Sequence, residues 1–408
     1  MSTGKVVLAY SGGLDTSVLL KQYVLEGRDV IALTLDLGES DMSAGTDAKA
    51  AQDAVRAKAL ALGATDALLV DVKERFVAEM ALPAMRANAL YEGVYPLSAA
   101  LSRPLIAAIL VETAHRYGAS AVAHGCTGKG NDQVRIELAA RALDPDLTTL
   151  APLRDRPLSR PDAIAYAQAH GVPVSSTTAK PYSVDANVWG RSIEAGVLED
   201  PWAAPPEDAY AWTAAAGDRP LEPEAVVIDF DQAVPSFEGR TGAAMVAELN
   251  ARAGAHGVGR IDLIEDRVIG VKSREVYECP GSVALIAAHK ALERLVLTRD
   301  ELRFKATLDQ KYGELVYDGL WPSPLRRAIE AFNGALAARL TGRVRLRLHQ
   351  GQAVCDGTSS PFALYDERLA TYGAGDAFRH DAASGFIQLW GLPLEVGARV
   401  ERAALVNR

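Results

Sequence analysis

The chain has 408 residues, of which 49% are hydrophobic and 23% are charged, and its formal net charge is −9. A chain of this length has room for two or three domains with cores of their own, and the composition is that of an ordinary globular protein. The negative net charge argues against a protein that coats nucleic acid, because phosphate backbones require clustered lysine and arginine side chains.

The first part of the chain alternates strand-like and helix-like segments. Short apolar runs that predict buried strands lie at 5–10, 30–35, 67–72, 119–123 and 148–151. Segments with helical spacing lie at 15–25, 48–62, 104–117, 134–143 and 163–170. Repeated strand–helix units predict a doubly wound α/β domain over 1–172, with a parallel sheet and helices on both faces. In such a sheet, ligands bind at the loops beyond the carboxyl ends of the strands.

The pattern changes in the second part. Residues 174–212 are rich in proline, serine and aromatic residues with weak periodicity, which predicts a domain boundary. Strand-like runs follow at 226–230, 260–264 and 268–272, and helix-like segments at 243–253, 283–297 and 325–340. This mixture predicts an α+β domain over 173–375. The tail, 376–408, is apolar around 386–400, and either a helix packing on its own subunit or an arm gripping a neighbouring subunit fits it equally.

A glycine-bearing loop, Ser11 to Ser17, joins the first predicted strand directly to a helix. Gly12 and Gly13 let the backbone approach a ligand, and the N–H groups of the loop and of the helix start can hold an anion. The loop matches neither GxxxxGK[ST] nor GxGxxG. It is typical of the SGGxD[ST] loop of ATP pyrophosphatases, whereas a plain turn capped by Asp15 or Thr16 is the simpler alternative. Asp15 either orients the loop or helps to hold Mg²⁺ on the phosphates.

A second glycine-rich loop, His124 to Arg135, follows the predicted strand at 119–123. Arg135 can bind a carboxylate with two hydrogen bonds, and Asp132 can accept from an ammonium group. Thr127 and Asn131 can bind carboxylate oxygens. The loop therefore carries groups for both ends of an amino acid. We expect it to lie beside the first loop at one edge of the sheet.

The remaining reactive side chains predict no covalent chemistry. Cys126, Cys279 and Cys355 are far apart and form no CxxC pair, which disfavours disulfides and zinc and favours a reducing cytosol. Cys126 is interpreted as a packing residue, and His124 as either a catalytic base or a structural histidine. No stretch is long and apolar enough to span a bilayer, and the start of the chain leaves no space for a signal peptide.

Several motifs together resemble the argininosuccinate synthase family. They are AYSGGLDTS at 9–17, HGCTGKGNDQVR at 124–135, KPYSVDANVWGRSIE at 180–194, EDPW at 199–202, HGVGRIDLIEDR at 256–267 and GVKSREVYECPG at 270–281. The resemblance covers almost the whole chain. It implies an adenine nucleotide alpha hydrolase-like domain, a synthetase domain and a C-terminal oligomerisation tail.

The resemblance implies a carbon–nitrogen ligase of arginine biosynthesis and the urea cycle. The ureido oxygen of L-citrulline attacks the α-phosphorus of ATP and expels pyrophosphate, and the amine of L-aspartate then displaces AMP to give argininosuccinate. ATP is a substrate that carries Mg²⁺, and no metal site of the protein itself is expected. The family further implies a cytoplasmic homotetramer, with no nucleic-acid or membrane partner.

The resemblance also implies ligands for particular residues. The ATP-binding residues are Ala9, Tyr10, Ser11, Gly12, Gly13, Leu14, Asp15, Thr16, Ser17, Leu35 and Gly125. The aspartate-binding residues are Thr127, Asn131 and Asp132. The citrulline-binding residues are Tyr95, Ala100, Asn131, Arg135, Ser183, Ser192, Glu265 and Tyr277. From the residues alone, Glu265 could instead pair with Arg260 or Arg267, and Tyr277 could be a core residue.

One position departs from the family pattern. Many members read YLLGTS where this chain reads YPLSAA from Tyr95, so Ala100 stands where a hydroxyl contacts citrulline. Ser98, Ser102, a backbone group or a water would have to replace that hydroxyl. Two other functions are compatible with the first loop, namely a non-catalytic ATP-binding sensor and another ATP pyrophosphatase ligase. Pyrophosphate release that requires citrulline would exclude both.

Overall fold

The computed structural model describes residues 4–38, 48–174 and 182–406. Lys180 and Pro181 of the third family motif, the first three residues of the chain and residues 175–181 of the predicted boundary segment 174–212 lie outside this part. Within it, the parallel strands β1 (Val6–Ala9), β2 (Val30–Asp36), β3 (Asp66–Asp71), β4 (Ala121–Ala123) and β5 (Thr148–Leu150) form one sheet in the order β3-β2-β1-β4-β5. The predicted parallel sheet is confirmed.

Helices cover both faces of this sheet. They are α1 (Leu14–Leu25), α2 (Ala48–Ala61), α3 (Lys73–Phe76), α4 (Leu82–Arg86), α5 (Ser98–Tyr117), α6 (Asp132–Leu143), α7 (Pro152–Asp155) and α8 (Arg160–Ala169), with a π-helical turn at Val77–Ala81. Successive side chains of β1 point to opposite faces. Leu8 therefore packs in the core that contains Val18 of α1, and Val7 packs in the core that contains Leu105 of α5.

The chain crosses the sheet in a way that creates a binding edge. After β1 it moves outward to β2 and β3, and it then returns to the other side of β1 for β4 and β5. The loops after β1 and β4 therefore diverge at a topological switch point, where α/β sheets bind ligands. Leu8 pairs with both Ala32 and Ala123, so the three strands end at similar heights.

Helix α5 differs from its prediction. The predicted start was 104, because proline favours the first turn of a helix, but α5 begins at Ser98 and Pro104 lies inside it. The proline removes one backbone donor, and the helix continues through it because Leu101 and Leu105 are buried in the core. The earlier start brings Ala100 and Arg103 onto this helix.

The second part of the described chain contains antiparallel sheets and long helices. In chain order the elements are β6 (Ser183–Asn187), β7 (Gly190–Glu194), β8 (Glu224–Asp231), β9 (Val234–Phe237), α9 (Gly242–Ala255), β10 (Arg260–Asp266), β11 (Lys272–Glu278), α10 (Pro280–Val296), α11 (Arg299–Tyr317), α12 (Pro324–Ala337), β12 (Gly342–His349) and β13 (Gln352–Ser359). Among the described strands, one sheet has the order β10-β11-β7-β6 and another the order β13-β12-β8-β9. The predicted α+β character is confirmed.

Several features of this part were not predicted correctly, and the strands β6, β7, β9, β12 and β13 were not predicted at all. The predicted strand at 268–272 is wrong, because residues 268–271 form the turn between β10 and β11, where Gly270 has a positive φ of 84°, and β11 begins only at Lys272. The apolar residues of this segment resemble a strand in sequence. The chain reverses direction here, however, and the positive φ at Gly270 is a conformation that glycine adopts without strain. Helix α11 was not predicted, although Thr298 and Glu301 form a capping box at its start.

The chain divides into two compact units, Met1–Phe362 and Ala363–Arg408. The second contains the helices α13 (Glu367–Ala370) and α14 (His380–Val406). No described side chain of α14 is buried, and its large apolar residues include Phe386, Leu389 and Trp390. Among the described helices, none combines the length and the apolarity needed to cross a membrane.

Candidate active site

The first predicted loop forms an open helix start. The chain leaves β1 at Ala9 and enters α1 at Leu14, and Gly12 between them has a φ of 76°. Among the described residues, no side chain caps the N-terminus of α1 at Gly13. The first N–H groups of the helix are therefore available to an anion, and the positive end of the helix dipole points to the same place. The alternative of a turn capped by Asp15 or Thr16 finds no support here.

Hydrogen bonds hold this loop in shape. The hydroxyl groups of Ser11 and Thr16 are 3.1 Å apart, as are those of Tyr10 and Ser17. Lys58 donates to the carbonyl oxygen of Gly12 at 2.8 Å, and burial lowers the pKa of this lysine. The loop is thus held together by its own hydroxyls and anchored from α2.

A cavity of ≈ 490 Å³ opens beside this loop. Its apolar wall is formed by β2, β3, α2 and α5, and it contains Leu33, Leu35, Leu37, Val55, Leu69 and Ile106. Polar groups of Tyr10, Ser11, Arg103 and Asp185 also line it. An apolar pocket with a few convergent polar groups suits a nucleotide, whose base is largely apolar and whose phosphates are charged. Leu35, predicted to contact adenine, lies in this wall.

The second loop lies against the first, as predicted. A Cβ atom built on Gly125 would be 3.1 Å from Cγ2 of Thr16 and 3.5 Å from Cδ1 of Leu19. The 3.1 Å contact is tighter than ordinary van der Waals contact, so any side chain at this position would push against Thr16 of the first loop. Thr127 follows in the same loop and is exposed, and its carbonyl oxygen accepts from the N–H of Gly130 at 3.3 Å.

The opposite wall of the site is one face of the sheet β10-β11-β7-β6. Residues paired across antiparallel strands lie on the same face, and side chains alternate along each strand. The register pairs Tyr277 with Ser192, and Ser192 with Asp185. The side chains that share this face include Glu265, Ser273, Glu275, Tyr277, Ser192, Glu194, Ser183 and Asp185. The predicted citrulline residues from β6, β7, β10 and β11 are therefore brought together.

Arg103 connects the second loop to this sheet face. Its Nη2 atom is 2.7 Å from a carboxylate oxygen of Asp132 and 2.7 Å from one of Asp185, and its Nη1 donates to Ser102. Asp132 also accepts from Arg135 at 3.1 Å. Burial alone would raise the pKa of Asp132, but the two arginines outweigh it and lower the pKa to about 2. Asp132 is thus a fixed anion at neutral pH and a weak base.

Arg135 has an unused donor. Its Nε donates to the carbonyl oxygen of Tyr317 at 2.9 Å, and its guanidinium lies 4.7 Å from the centre of the Tyr317 ring. Its Nη2 atom is buried and has no hydrogen-bond partner among the described residues. A buried donor without a partner is costly, so this atom marks a place where a ligand oxygen would be stabilising.

Aromatic residues surround Glu265. Its carboxylate accepts from the hydroxyl of Tyr277 at 2.6 Å and from that of Tyr317. Tyr277 stacks on Tyr95 with ring centres 3.7 Å apart, and Tyr317 stacks on Tyr91 at 3.4 Å. Burial raises the pKa of Glu265 above its usual value, and the hydrogen bonds from the two tyrosine hydroxyls offset only part of this rise.

The alternative partners considered for Glu265 bind elsewhere. Arg260 donates to Thr213 and Glu207, and Arg267 donates to Ser273, Glu194 and Glu275. A Glu265–arginine pair on the sheet face is therefore not what the structure shows.

Asn131 is held from both ends. Its Nδ2 donates to the Tyr317 hydroxyl at 2.9 Å, and its Oδ1 accepts from the N–H of Val268 at 2.9 Å. An asparagine amide has a further N–H and a further lone pair, so a ligand contact remains compatible with these bonds.

The serines near Ala100 already have partners. Ala100 is buried in the core, Ser102 donates to the carbonyl oxygen of Ala99 at 2.8 Å, and Ser98 lies 3.2 Å from the hydroxyl of Tyr95. That hydroxyl also accepts from the N–H of Ala99 at 2.9 Å. Both serines therefore help to fix the start of α5, which leaves a backbone group or a water as the simplest replacement.

Several site residues were missed by the sequence analysis. They are Tyr91, Arg103, Asp185, Arg267, Glu275 and Tyr317. Arg103 was detectable as an arginine within a largely apolar helix, but its partners lie 29 and 82 residues away. Tyr317 ends the helix α11, which was itself not predicted.

The strand order, the open helix start after β1 and the adjoining cavity define a nucleotide-binding α/β domain with a cluster of charged side chains beside the cavity. Comparison with known proteins identifies the family. Residues 5–173 match the arginosuccinate synthase N-terminal HUP domain, and residues 182–397 match the arginosuccinate synthase C-terminal domain.

Relatives match over almost the full length. The chain is 53% identical over 405 residues to an argininosuccinate synthase of Geobacillus thermodenitrificans, covering 98% of each chain. It is 53% identical over 410 residues to that of Geobacillus sp. strain WCH70, covering 100% of each. The chain therefore belongs to the argininosuccinate synthase family. The predicted ligase function in arginine biosynthesis, with ATP as a substrate, is confirmed.

The close approach of the two loops gives a first prediction. Gly125→Val should weaken ATP binding at least about tenfold, or about 1.4 kcal/mol, because the new side chain would displace Thr16 from the first loop. Calorimetric titration with ATP measures this change. Gly334→Val is the control, since a Cβ atom at this position inside α12 meets nothing within 4 Å. Equal ATP affinity in the Gly125 variant and the control would show that the approach is not needed.

Proposed function

We propose that the chain makes argininosuccinate in two steps at this one site. The ureido oxygen of citrulline attacks the α-phosphorus of ATP and releases pyrophosphate, and the aspartate amine then attacks the citrullyl-AMP intermediate and displaces AMP. The supporting observation is that Arg103 lines the nucleotide cavity and also bonds Asp132 and Asp185 of the amino-acid site. The two halves of the site are thus contiguous.

The proposal gives each ligand a set of residues. ATP is bound by residues 9–17, Leu35 and Gly125, with the phosphates at the start of α1 and Mg²⁺ carried on them. Aspartate is bound by Thr127, Asn131 and Asp132, where the carboxylate of Asp132 accepts from the substrate ammonium. Citrulline is bound by Tyr95, Ala100, Asn131, Arg135, Ser183, Ser192, Glu265 and Tyr277, with its carboxylate on the unused donor of Arg135.

The chemistry needs no nucleophile from the protein. Burial raises the pKa of the Cys126 thiol to about 12, which keeps it protonated, and burial lowers the pKa of His124 to about 4. The Nδ1 atom of His124 accepts from the N–H of Cys126 at 3.2 Å. These facts support a structural role for both residues. Catalysis then rests on positioning and electrostatic stabilisation, as is usual for transfers at phosphorus.

We further propose a cytoplasmic homotetramer with a nucleotide domain at 1–172, a synthetase domain at 173–375 and an oligomerisation tail at 376–408. The exposed apolar side chains along α14 support the tail as an arm that grips a neighbouring subunit, because a contiguous apolar surface is a common mark of protein–protein contact.

Pyrophosphate release tests the proposed order of steps. With ATP and Mg²⁺ alone, the chain should release none. Adding citrulline should allow release, and adding aspartate as well should give sustained turnover with argininosuccinate and AMP. Aspartate without citrulline should give no release, because the ureido oxygen is the attacking group. A folded chain that consumed no ATP with both amino acids would disprove the proposal, and release without citrulline would disprove the order.

Asp132 tests the aspartate assignment. Asp132→Ala should raise the KM for aspartate by about ten- to hundredfold while changing ATP affinity far less, because it removes the fixed anion opposite the substrate ammonium. Steady-state kinetics with each substrate varied in turn measure the effect. Asp146→Ala, an exposed acid after α6, is the control. An unchanged KM for aspartate would refute the assignment.

Arg135 tests the citrulline assignment. Arg135→Lys should raise the KM for citrulline by about tenfold or more, because an ammonium cannot bond Tyr317, Asp132 and a substrate carboxylate with the geometry of the guanidinium fork. The matched control is Arg141→Lys, an exposed arginine on the same helix that pairs with Glu137. If both variants kept the wild-type KM for citrulline, the proposed carboxylate contact would be wrong.

A further inference from the structure

Arg267, in the turn between β10 and β11, bonds in several directions at once. Its Nε donates to Ser273 at 2.7 Å, and its Nη2 donates to Glu194 at 2.5 Å and to Glu275 at 2.9 Å. These partners share the sheet face that forms the wall of the active site. Its Nη1 donates to the carbonyl oxygen of Lys129 at 3.1 Å. That carbonyl belongs to the second loop, so one guanidinium joins the loop to the sheet.

The next residue of the turn holds the same loop. The N–H of Val268 donates to Oδ1 of Asn131 at 2.9 Å. The turn therefore forms hydrogen bonds with the second loop on both sides of Gly130, at Lys129 and at Asn131, which immediately precedes Asp132. A Cβ atom on Gly130 would meet nothing closer than 3.8 Å, so side-chain packing does not fix the loop there. A segment with glycines at 125, 128 and 130 has high conformational entropy when unbound, and these hydrogen bonds restrain it.

The charges around Arg267 form a balanced group. Burial, together with the neighbouring carboxylate of Glu194, raises the pKa of Glu275 to about 9. At neutral pH Glu275 is therefore protonated, and Arg267 balances the single charge of Glu194. The other titratable groups that face Glu275 are Glu265 on β10 and Tyr277 on β11.

We propose that Arg267 is a positioning residue, which holds the second loop in the conformation that binds aspartate and uses Glu194 and Glu275 as its anchor on the sheet. The inference rests on the proposed aspartate site at Thr127, Asn131 and Asp132. Arg267 acts through the loop and does not touch the substrate. The flat guanidinium can reach Ser273, the two carboxylates and the Lys129 carbonyl simultaneously, whereas an ammonium cannot match this geometry.

Substrate-resolved kinetics test this role. Arg267→Lys should raise the KM for aspartate by about ten- to hundredfold, with a much smaller change in kcat. Citrulline-dependent exchange of pyrophosphate into ATP, measured without aspartate, should fall far less than aspartate affinity. The matched control is Arg274→Lys, because Arg274 lies on the opposite face of β11 and bonds Asp262 at 2.8 and 2.6 Å.

Thermal unfolding of the two variants separates positioning from simple structural support. If Arg267→Lys and Arg274→Lys lost similar stability and neither changed the KM for aspartate, the positioning role would be refuted. A wild-type chain that turned over no ATP with both amino acids would instead refute the proposed function. If the wild type is active and Arg267→Lys keeps the wild-type KM for aspartate, the positioning role is refuted and the proposed function stands.

The pH dependence supplies a second variant that does not disturb Arg267. The wild-type KM for aspartate should rise as pH increases through about 9, because ionisation of Glu275 removes its hydrogen bond to Glu194 and makes the two carboxylates repel each other, which distorts the anchor around Arg267. Glu275→Gln imitates the protonated carboxyl group. It should keep the neutral-pH KM and show a smaller rise at alkaline pH. Titration of aspartate itself affects both proteins equally, so superimposable profiles would overturn the proposed anchor.

Discussion

The active site depends on one buried arginine that is shared by otherwise separate parts of the protein. Arg103 projects from α5, bonds Asp132 at the start of α6 and Asp185 on β6, and lines the nucleotide cavity. A buried charge is tolerated only when it is paired and hydrogen-bonded. Arg103 therefore depends on the carboxylates of Asp132 and Asp185, and it holds both of them in place. This contact therefore holds the start of α6 and strand β6 together beside the nucleotide cavity.

Among the described residues, the proposed amino-acid site contains one fixed negative charge, at Asp132, and one arginine with a free donor, Arg135. Asp132 is kept ionised by Arg103 and Arg135, which suits an ammonium group. Arg135 retains a buried donor without a protein partner, which suits a carboxylate. Citrulline and aspartate each carry both kinds of group, so under the proposed function a substrate carboxylate would satisfy the Arg135 donor that the described part of the protein leaves without a partner. This explains how a chain with a net charge of −9 can bind anionic substrates, since the local arrangement of charges matters more than their sum.

The protein holds its two glycine-bearing loops by different means. The first is fixed by its own hydroxyls and by Lys58, and its open helix start remains free for phosphates. The second is longer and contains glycines at 125, 128 and 130, and two hydrogen bonds from the turn at Arg267 and Val268 restrain it. The first loop is thus held mainly by its own hydrogen bonds, and the second by hydrogen bonds from the turn. Both arrangements fit a reaction that relies on positioning its reactants.

The sequence by itself determined the parallel sheet, the two loops and the ligand classes, because these follow from local rules. Apolar runs, helical spacing and glycines at a strand end act over a few residues, and they are legible at Ser11–Ser17 and His124–Arg135. The same local rules misassigned the turn at 268–271, since its apolar letters outweighed one glycine, and they missed α11 despite its capping box.

Only the tertiary structure decided which side chains share the site. Tyr317, Asp185 and Arg267 look ordinary along the chain, and they become part of the site because strand register and packing bring distant residues into contact, among them Asn131 and Tyr317, which are 186 positions apart. Register is set by burial of a whole sheet face, which no short window of sequence contains. The partners of Glu265 were open between arginines and ligands until the fold placed Tyr277 and Tyr317 against it.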